Sequence, residues 1–280
     1  MSSAAEPSLD LPAALEAVAG ASPLVSAVTN NVTVNDVAQV ILHWGGLPVM
    51  SDDEREVREM VAGASACLLN MGTVSEVGER TMLAAGGSAN DNGVPVVLDP
   101  VGVGATTTRD RVAERLATEL DVAVVNGNHG EVTALAGGEA EVRGVESVGD
   151  YAAIAETAMA CAREYDTVVV ASGETDVVAT AEAAYELRTG DPMMGRVVGT
   201  GCMLGGSVAT FAGGLEEPLE AALLATAGFG LAGEAAAAGR FGEVHGPASY
   251  QTAFRDAIAG LGEVGSDPVA DRVERVLAAD

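Results

Sequence analysis

The feature that most constrains the fold is a series of short apolar segments separated by stretches long enough for a helix. They occupy residues 24–29, 47–50, 66–70, 94–99, 122–126 and 168–172. Strands with continuous apolar sequences are buried on both faces, which is typical of a parallel sheet covered by helices. We therefore expect an α/β fold in which residues 1–280 form a single domain, with a mainly parallel sheet and helices on both of its faces.

Most of these apolar segments end in a polar residue. The residues at these ends are Thr29, Asn70, Asp99, Asn126 and Ser172. In open α/β sheets, ligands bind outside the carboxyl ends of the strands. The polar strand ends are therefore expected to converge on one crevice that holds the ligand.

Residues 195–207, GRVVGTGCMLGGS, place glycines at the start of a run that can form a helix. Glycines let the backbone approach a ligand closely, and the unpaired N–H groups of a first helical turn form an anion site together with the helix dipole. We expect Gly199, Thr200, Gly201 and Cys202 to form a phosphate cradle. The dipole is also expected to lower the pKa of the Cys202 thiol towards neutrality and make it a catalytic base or nucleophile. The alternative is a tight turn that contains a buried cysteine.

Two acidic residues that follow apolar segments are candidate metal ligands. Asp99 begins DPVGVGAT, where its carboxylate could hold a cation over phosphates, or could instead cap the next helix. Asn128 and Glu131 lie on one face of a predicted helix start, and Glu131 could present its carboxylate to a metal-bound water. A capping box formed by Asn128 and Glu131 is the alternative, and both roles can hold at once.

Charge and composition narrow the classes of function. The formal net charge is −27, and all 14 basic residues are arginines. This charge argues against nucleic acid or an anionic membrane as a partner, and favours a surface adapted to high salt. A Walker phosphate loop is excluded because it requires lysine. The three cysteines predict neither a disulfide framework nor a zinc site.

The rest of the chain adds predictions of secondary structure and location. We expect a helix over 149–163, an antiparallel hairpin of 177–180 with 184–187, and an extension of that hairpin by 196–198. The chain is expected to be helical from Met203 to its end, and the alanine-rich stretch 221–239 is predicted to be a core helix rather than a membrane span. Residues 1–20 lack the basic start of a signal peptide, which predicts a cytoplasmic protein.

Eight motifs in chain order resemble the hydroxyethylthiazole kinase family. They are AVTNNVTVNDVA, GGLPVMSDD, LLNMGT, VPVVLDPVGVGAT, GNHGEV, ASGETDVV, VVGTGCML and GPASYQ. The most specific is GTGC, where the wider ribokinase-like superfamily usually carries Asp in place of Cys202. The resemblance implies a ribokinase-like fold and Mg²⁺-dependent transfer of the ATP γ-phosphate to 4-methyl-5-(2-hydroxyethyl)thiazole in thiamine biosynthesis. It also implies a homotrimer with sites at subunit interfaces.

The resemblance also implies roles for individual residues. Met50 and Gly199 would contact the thiazole, Ser172 would contact ATP, Cys202 would face the hydroxyl group, and Asp99 and Glu131 would hold magnesium and its waters. Asn126 would also lie at the ATP site, at a position where bacterial members commonly have an Arg that contacts the nucleotide phosphates. This difference removes a charge-assisted contact, for which Arg196 is a possible substitute.

The sequence is also compatible with two other functions. One is a different ribokinase-like enzyme, either a hydroxymethylpyrimidine kinase or a nicotinamide-nucleotide hydrate dehydratase, and Cys202 in place of Asp argues against both. The other is a sensor that binds nucleotide or thiazole without turnover, which Asn126 in place of Arg favours.

Overall fold

The computed structural model describes residues 6–138, 142–143, 146–147, 153–264 and 269–279. The strands are β1 (Leu24–Val28), β2 (Leu47–Val49), β3 (Ala66–Asn70), β4 (Val96–Asp99), β5 (Val124–Asn128), β6 (Val142–Arg143), β7 (Glu146–Ser147), β8 (Val168–Ser172), β9 (Asp176–Ala179), β10 (Ala183–Leu187) and β11 (Val273–Ala278). The helices are α1 (Leu11–Ala21), α2 (Val34–His43), α3 (Val57–Ala62), α4 (Glu76–Asp91), α5 (Thr107–Glu119), α6 (His129–Leu135), α7 (Ile154–Tyr165), α8 (Thr200–Gly214), α9 (Pro218–Ala237) and α10 (Pro247–Val264).

The main sheet of the described residues has nine strands in the order β11-β10-β9-β8-β5-β4-β3-β1-β2. The strands from β2 to β8 in this order are parallel, and β9, β10 and β11 continue the sheet as antiparallel strands. All six predicted apolar segments are parallel strands, which confirms the predicted sheet. The pair β6 and β7 forms a separate two-stranded sheet.

Helices cover both faces of the sheet, as the apolar strands predict. On one face, a core cluster joins the sheet to α1, α2, α8, α9 and α10. On the other face, a second cluster joins the sheet to α3, α4, α5, α6 and α7. Successive side chains of a strand point to opposite faces, so Leu68 of β3 belongs to the first cluster and Leu69 to the second.

Helix α9 is the one helix among the described residues whose length and composition would allow it to cross a membrane, and 83% of its apolar window is buried inside this fold. It packs against α8 and α10. Most of its side chains are small or apolar because protein surrounds it, which confirms the predicted core helix.

The structure corrects two of the predicted elements. The hairpin of β9 and β10 is confirmed, but residues 196–198 do not extend it, because Met194–Arg196 form a 3₁₀ turn. The third antiparallel strand is β11, so the chain after Met203 is not helical to its end. The segment VERVLA mixes apolar and charged residues, and this pattern suits an exposed edge strand better than a core helix. Helix α7 begins at Ile154, and the residues 149–152 of its predicted start lie outside the described residues.

Candidate active site

Three of the five polar strand ends meet at the carboxyl edge of the sheet. Asn70 and Asp99 are paired in register at the ends of β3 and β4, and Asn70 Nδ2 donates to Asp99 Oδ2 over 2.6 Å. Asn126 of β5 donates from Nδ2 to the carbonyl oxygen of Gly201 over 3.2 Å and so joins the sheet to the first turn of α8. Ser172 lies one strand further along, at the end of β8. The Thr29 hydroxyl is buried and has no hydrogen-bond partner among the described residues.

Asn30, which follows β1, links these strand ends to α8. Its Nδ2 lies 2.8 Å from Thr33 Oγ1, 2.9 Å from Asn70 Oδ1 and 3.5 Å from Cys202 Sγ. Its Oδ1 accepts the backbone N–H groups of Val32 and Thr33. Asn30 is not among the predicted site residues, although the Asn-Asn pair directly after an apolar strand is a signal of the same kind as the other polar strand ends.

Asp99 is a buried acid with a strongly perturbed pKa. Its side chain is 3% exposed, and burial raises its pKa well above the usual value, with a further rise from the charge of Glu131. Hydrogen bonds from Asn70 and Asn126 act in the opposite direction. The carboxylate is therefore held in place by amides while its charge lacks a cationic partner at hydrogen-bond distance in the described structure.

Glu131 is fixed by two backbone N–H groups. Its Oε1 accepts from Gly102 over 2.6 Å, and its Oε2 accepts from Asn128 over 2.8 Å. Asn128 Oδ1 in turn accepts from the Glu131 N–H over 2.9 Å, so the predicted capping box is present at the start of α6. Burial raises the pKa of Glu131 to about 7, and the two N–H groups and the charge of Arg109 oppose that rise.

The GTGC turn forms the start of α8. Gly199 precedes the helix with φ +91°, and a Cβ atom there would lie 2.5 Å from Thr33 Cγ2, so both backbone conformation and space require glycine. No side chain caps this helix start. The N–H groups of Thr200, Gly201 and Cys202 belong to the first turn, where intrahelical partners are missing. An uncapped first turn of this kind can bind an anion.

The predicted lowering of the Cys202 pKa is wrong. The side chain is 8% exposed, and burial raises the thiol pKa to about 11, assisted by the negative charge of Asp99. Hydrogen bonding with Thr33, Asn70 and Asn30 opposes the rise without reversing it. Burial in a site that already holds a carboxylate therefore outweighs the helix dipole, and the thiol is protonated at neutral pH.

The remaining predicted site residues lie in β5, in β8 and directly after β2. Asn126 is 1% exposed, and its Oδ1 atom has no hydrogen-bond partner among the described residues. Gly205 leaves room for this arrangement, because a Cβ atom there would lie 3.1 Å from Asp99 Oδ2 and 3.2 Å from Asn126 Nδ2. Ser172 is half-buried, and its Oγ donates to the carbonyl oxygen of Gly127 over 3.4 Å. Met50 is half-buried and directly follows β2. Strand β2 is an edge strand of the sheet and is separated from β3 by β1.

The fold is of the ribokinase-like class. The fold is similar to that in an ADP complex of Bacillus subtilis pyridoxal kinase, with a TM-score of 0.54 at 15% identity over 75% of this chain and 90% of that one. The sequence profile of the hydroxyethylthiazole kinase family matches residues 15–263 of this chain. The chain belongs to this family and is therefore a phosphotransferase.

Individual relatives match almost the whole chain. A hydroxyethylthiazole kinase of Natronomonas pharaonis is 65% identical over 272 residues, which cover 96% of this chain and 97% of that protein. One of Haloquadratum walsbyi is 62% identical over 268 residues, which cover 95% and 93% of the two chains. The solved structure of the hydroxyethylthiazole kinase protein from Pyrococcus horikoshii has a TM-score of 0.82 at 32% identity and covers 95% of this chain and 99% of that chain.

Proposed function

We propose that this enzyme transfers the γ-phosphoryl group of ATP to the hydroxyl group of 4-methyl-5-(2-hydroxyethyl)thiazole, in thiamine biosynthesis or salvage. The observation that carries the proposal is the placement of the GTGC turn beside the buried carboxylate of Asp99, in a chain of this family. Phosphoryl transfer needs positioned anion-binding groups and charge stabilisation more than covalent chemistry. The uncapped first turn of α8 and the buried carboxylates are suited to these tasks.

The phosphate cradle is assigned to the backbone of Gly199, Thr200, Gly201 and Cys202. Their N–H groups are fixed by the helix before any ligand binds, so they would stabilise the transferring phosphoryl group without reorganisation. Asn126 Nδ2 holds this turn in place by donating a hydrogen bond to the Gly201 carbonyl oxygen. Its neutral side chain fits a supporting role. Because Oδ1 only accepts hydrogen bonds, its proposed contact with ATP is with a donor group of the nucleotide rather than with a phosphate oxygen.

The donor set at Asp99 and Glu131 fits Mg²⁺. Both are oxygen ligands, and both carboxyl groups have raised pKa values because they are buried, so a divalent cation would relieve the cost of their charges. Mg²⁺ is usually held by one or two carboxylates together with waters and substrate phosphates.

When bound, Mg²⁺ would neutralise charge on the phosphate oxygens of ATP. Both oxygens of Glu131 already accept backbone N–H groups. We therefore assign Asp99 to the metal and Glu131 to its waters.

Cys202 is assigned to the acceptor hydroxyl. Since its pKa is about 11, only about one thiol in ten thousand is ionised at pH 7. The thiol would therefore orient the hydroxyl group by a hydrogen bond, and the hydroxyl proton would leave late, towards the phosphoryl oxygens. Met50 and Gly199 are proposed to contact the thiazole ring, and Ser172 to contact ATP.

We further infer that the chain is a single kinase domain, active in the cytoplasm as a homotrimer with sites at the subunit interfaces. Two exposed apolar side chains support a subunit contact near the site. Val32 is 74% exposed and lies two residues after Asn30, and Val198 is 76% exposed and directly precedes Gly199. Sedimentation in molar KCl tests the trimer, and a fully active monomer would contradict it.

One assay separates this function from a hydroxymethylpyrimidine kinase and from a sensor. Purified protein in molar KCl with Mg-ATP is offered the thiazole alcohol, hydroxymethylpyrimidine and a simple alcohol of similar size. ADP release with the thiazole alone supports the proposal, while release with hydroxymethylpyrimidine indicates the other kinase. Nucleotide and thiazole binding without ADP release would indicate a sensor.

A further inference from the structure

Arg109 on α5 reaches back across the ends of β3 and β4. Its Nη1 donates to the carbonyl oxygen of Met71 over 3.0 Å and also to that of Val101, and its Nη2 donates to that of Gly72 over 3.0 Å. These three carbonyls belong to two different loops. Within the described residues, no carboxylate oxygen lies within ion-pair distance of this guanidinium, whereas Arg111 on the same helix pairs with Glu79 over 2.8 Å.

The loop after β3 links Arg109 to Asp99 through a series of hydrogen bonds. The carbonyl of Gly72 accepts from Arg109, and the N–H of the same residue donates to Asn70 Oδ1 over 3.0 Å. Asn70 Nδ2 then donates to Asp99 Oδ2 over 2.6 Å. The loop has little freedom to shift, because a Cβ atom on Gly72 would lie 2.8 Å from Asn30 Cβ.

The loop after β4 leads from Arg109 to Glu131. Val101 accepts from Arg109, and the next residue, Gly102, donates its N–H to Glu131 Oε1 over 2.6 Å. Gly102 has φ +76°, and a Cβ atom there would lie 3.1 Å from Arg109 Cδ and 3.2 Å from its Nε. The turn and the arginine side chain are therefore packed against each other.

We propose that Arg109 is a positioning residue that aligns both carboxylates of the active site through these two loops. The proposal rests on the function above only in taking Asp99 and Glu131 as the holders of the cation and its waters. Arginine suits this role because its planar fork presents several donors in fixed directions. Groups that orient metal ligands from behind typically change metal affinity or activity by about 10–100-fold when they are removed.

Loss of the guanidinium should loosen the site while leaving the fold intact. Arg109 is half-buried, so water can reach the three carbonyls once the side chain is shortened. Arg109→Gln removes the charge and most of the donors. Arg109→Lys keeps the charge, but a single ammonium group cannot follow the fork geometry. Arg111→Gln is the matched control, since it removes an arginine of the same helix whose partner is Glu79.

The test measures Mn²⁺ binding to the protein in the presence of ADP by electron paramagnetic resonance. We expect Arg109→Gln to weaken Mn²⁺ binding by about 10–100-fold, Arg109→Lys to weaken it less, and Arg111→Gln to leave it unchanged. In turnover assays, excess Mg²⁺ should recover much of the kcat of the Arg109 variants, with little change in KM for the acceptor. A purely structural role would not produce recovery by Mg²⁺.

Two outcomes overturn the inference in different ways. Wild-type Mn²⁺ affinity in a folded Arg109→Gln or Arg109→Lys variant means that the guanidinium does not position the site. If Asp99→Asn and Glu131→Gln also bind Mn²⁺ as well as the wild type, the proposed cation site itself is wrong. Near-ultraviolet circular dichroism checks folding, and Arg109→Lys, which keeps the charge and the side-chain stem, decides the test if Arg109→Gln does not fold.

Discussion

Asn70 Nδ2 donates to Asp99 Oδ2 over 2.6 Å, and the two residues are register partners at the ends of adjacent parallel strands. The sheet itself therefore fixes the orientation of the carboxylate. Burial raises the pKa of Asp99 well above its usual value, and the charge of Glu131 adds to this rise, so the ionised form is costly in the folded state. A carboxylate held rigidly at a cost in stability is characteristic of a functional group rather than a structural one.

Asp99→Asn should stabilise the fold and abolish turnover. The change keeps an oxygen atom for Asn70 and removes a buried charge, so at pH 8 without divalent cations we expect the free energy of unfolding to rise by up to about 1.4 kcal/mol for each unit by which folding raises the pKa of Asp99. A carboxyl group whose pKa is raised on folding favours the folded state at low pH and loses that contribution as pH rises through the folded pKa. The advantage of the variant should therefore disappear as pH falls towards the unfolded-state pKa of Asp, near 4.

Urea unfolding at pH 8 and pH 4 in the presence of EDTA measures this difference in stability. Asp110→Asn is the control, because Asp110 also accepts a backbone N–H, from Gly104, but outside the site. An Asp99→Asn variant that is less stable than the wild type at pH 8 would show that the carboxylate is a net stabilising group.

The parts of the site that the sequence predicts correctly are those that follow from strand periodicity. Asn70, Asp99 and Asn126 end neighbouring parallel strands, so their proximity is a consequence of the sheet. The contact of Asn30 with Cys202 and the reach of Arg109 to Met71 and Gly72 depend on loop paths, which no periodicity specifies.

Two errors have similar physical causes. Strand β11 pairs with β10, which is far from it in sequence, so local pattern does not reveal the pairing. The pKa of Cys202 depends on burial and on Asp99, a residue that only the folded chain brings close. The dipole of a helix is visible in the sequence pattern, while the desolvation that opposes it is not.

Asn126→Asp should destabilise the protein in a pH-dependent manner. The change replaces the amide that donates to the Gly201 carbonyl with a carboxylate, beside the buried carboxyl group of Asp99. An unpaired buried charge costs about 3–5 kcal/mol. The loss should be smaller at pH 5, where the introduced group can take up a proton and donate a hydrogen bond.

Asn126→Ala is the control for the lost hydrogen bonds to the Gly201 carbonyl and to Asp99, and each should cost about 0.5–1.5 kcal/mol. The loss should be larger at pH 8 than at pH 5, because the Asn126 amide stabilises the ionised form of Asp99. Thermal unfolding at pH 5 and pH 8 measures both variants. If Asn126→Asp and Asn126→Ala lose equal stability at pH 8, a second buried carboxylate beside Asp99 carries no cost and this prediction is wrong.

The folded state should require salt. The chain carries 41 acidic and 14 basic residues, and their net repulsion opposes a compact state in dilute buffer. The Debye length falls from about 30 Å at 0.01 M salt to about 3 Å at 1 M, so repulsion between surface carboxylates should be largely screened in molar KCl. We expect the urea midpoint to rise steadily with KCl, while sucrose at matched osmolality produces a smaller rise. Equal midpoints in dilute and molar KCl would show that the acidity serves another purpose.

Substitutions at Cys202 distinguish an orienting thiol from a catalytic base. With a pKa of about 11, the thiol is protonated at neutral pH, so Cys202→Ala should remove one hydrogen bond to the acceptor hydroxyl. The expected loss in kcat is about 2–15-fold, which corresponds to the loss of about 0.5–1.5 kcal/mol for one hydrogen bond. The pH profile should be unchanged. A positioned base would instead contribute about 10²–10⁴-fold, with a rate that rises with pH as the thiol ionises.

Cys202→Ser and Cys202→Asp complete the comparison. Serine keeps a polar hydrogen-bonding group of similar size, so Cys202→Ser should retain more activity than Cys202→Ala. In Cys202→Asp, burial and Asp99 should raise the pKa of the introduced carboxyl group, but it would still lie well below that of the thiol, so a far larger fraction would be ionised at pH 7. This variant should keep substantial activity and unfold more readily, because it places another carboxylate in the buried site. A loss of 10²–10⁴-fold in Cys202→Ala, together with a pH-dependent wild-type rate, would mean that bound substrate and nucleotide lower the thiol pKa enough for Cys202 to act as a base.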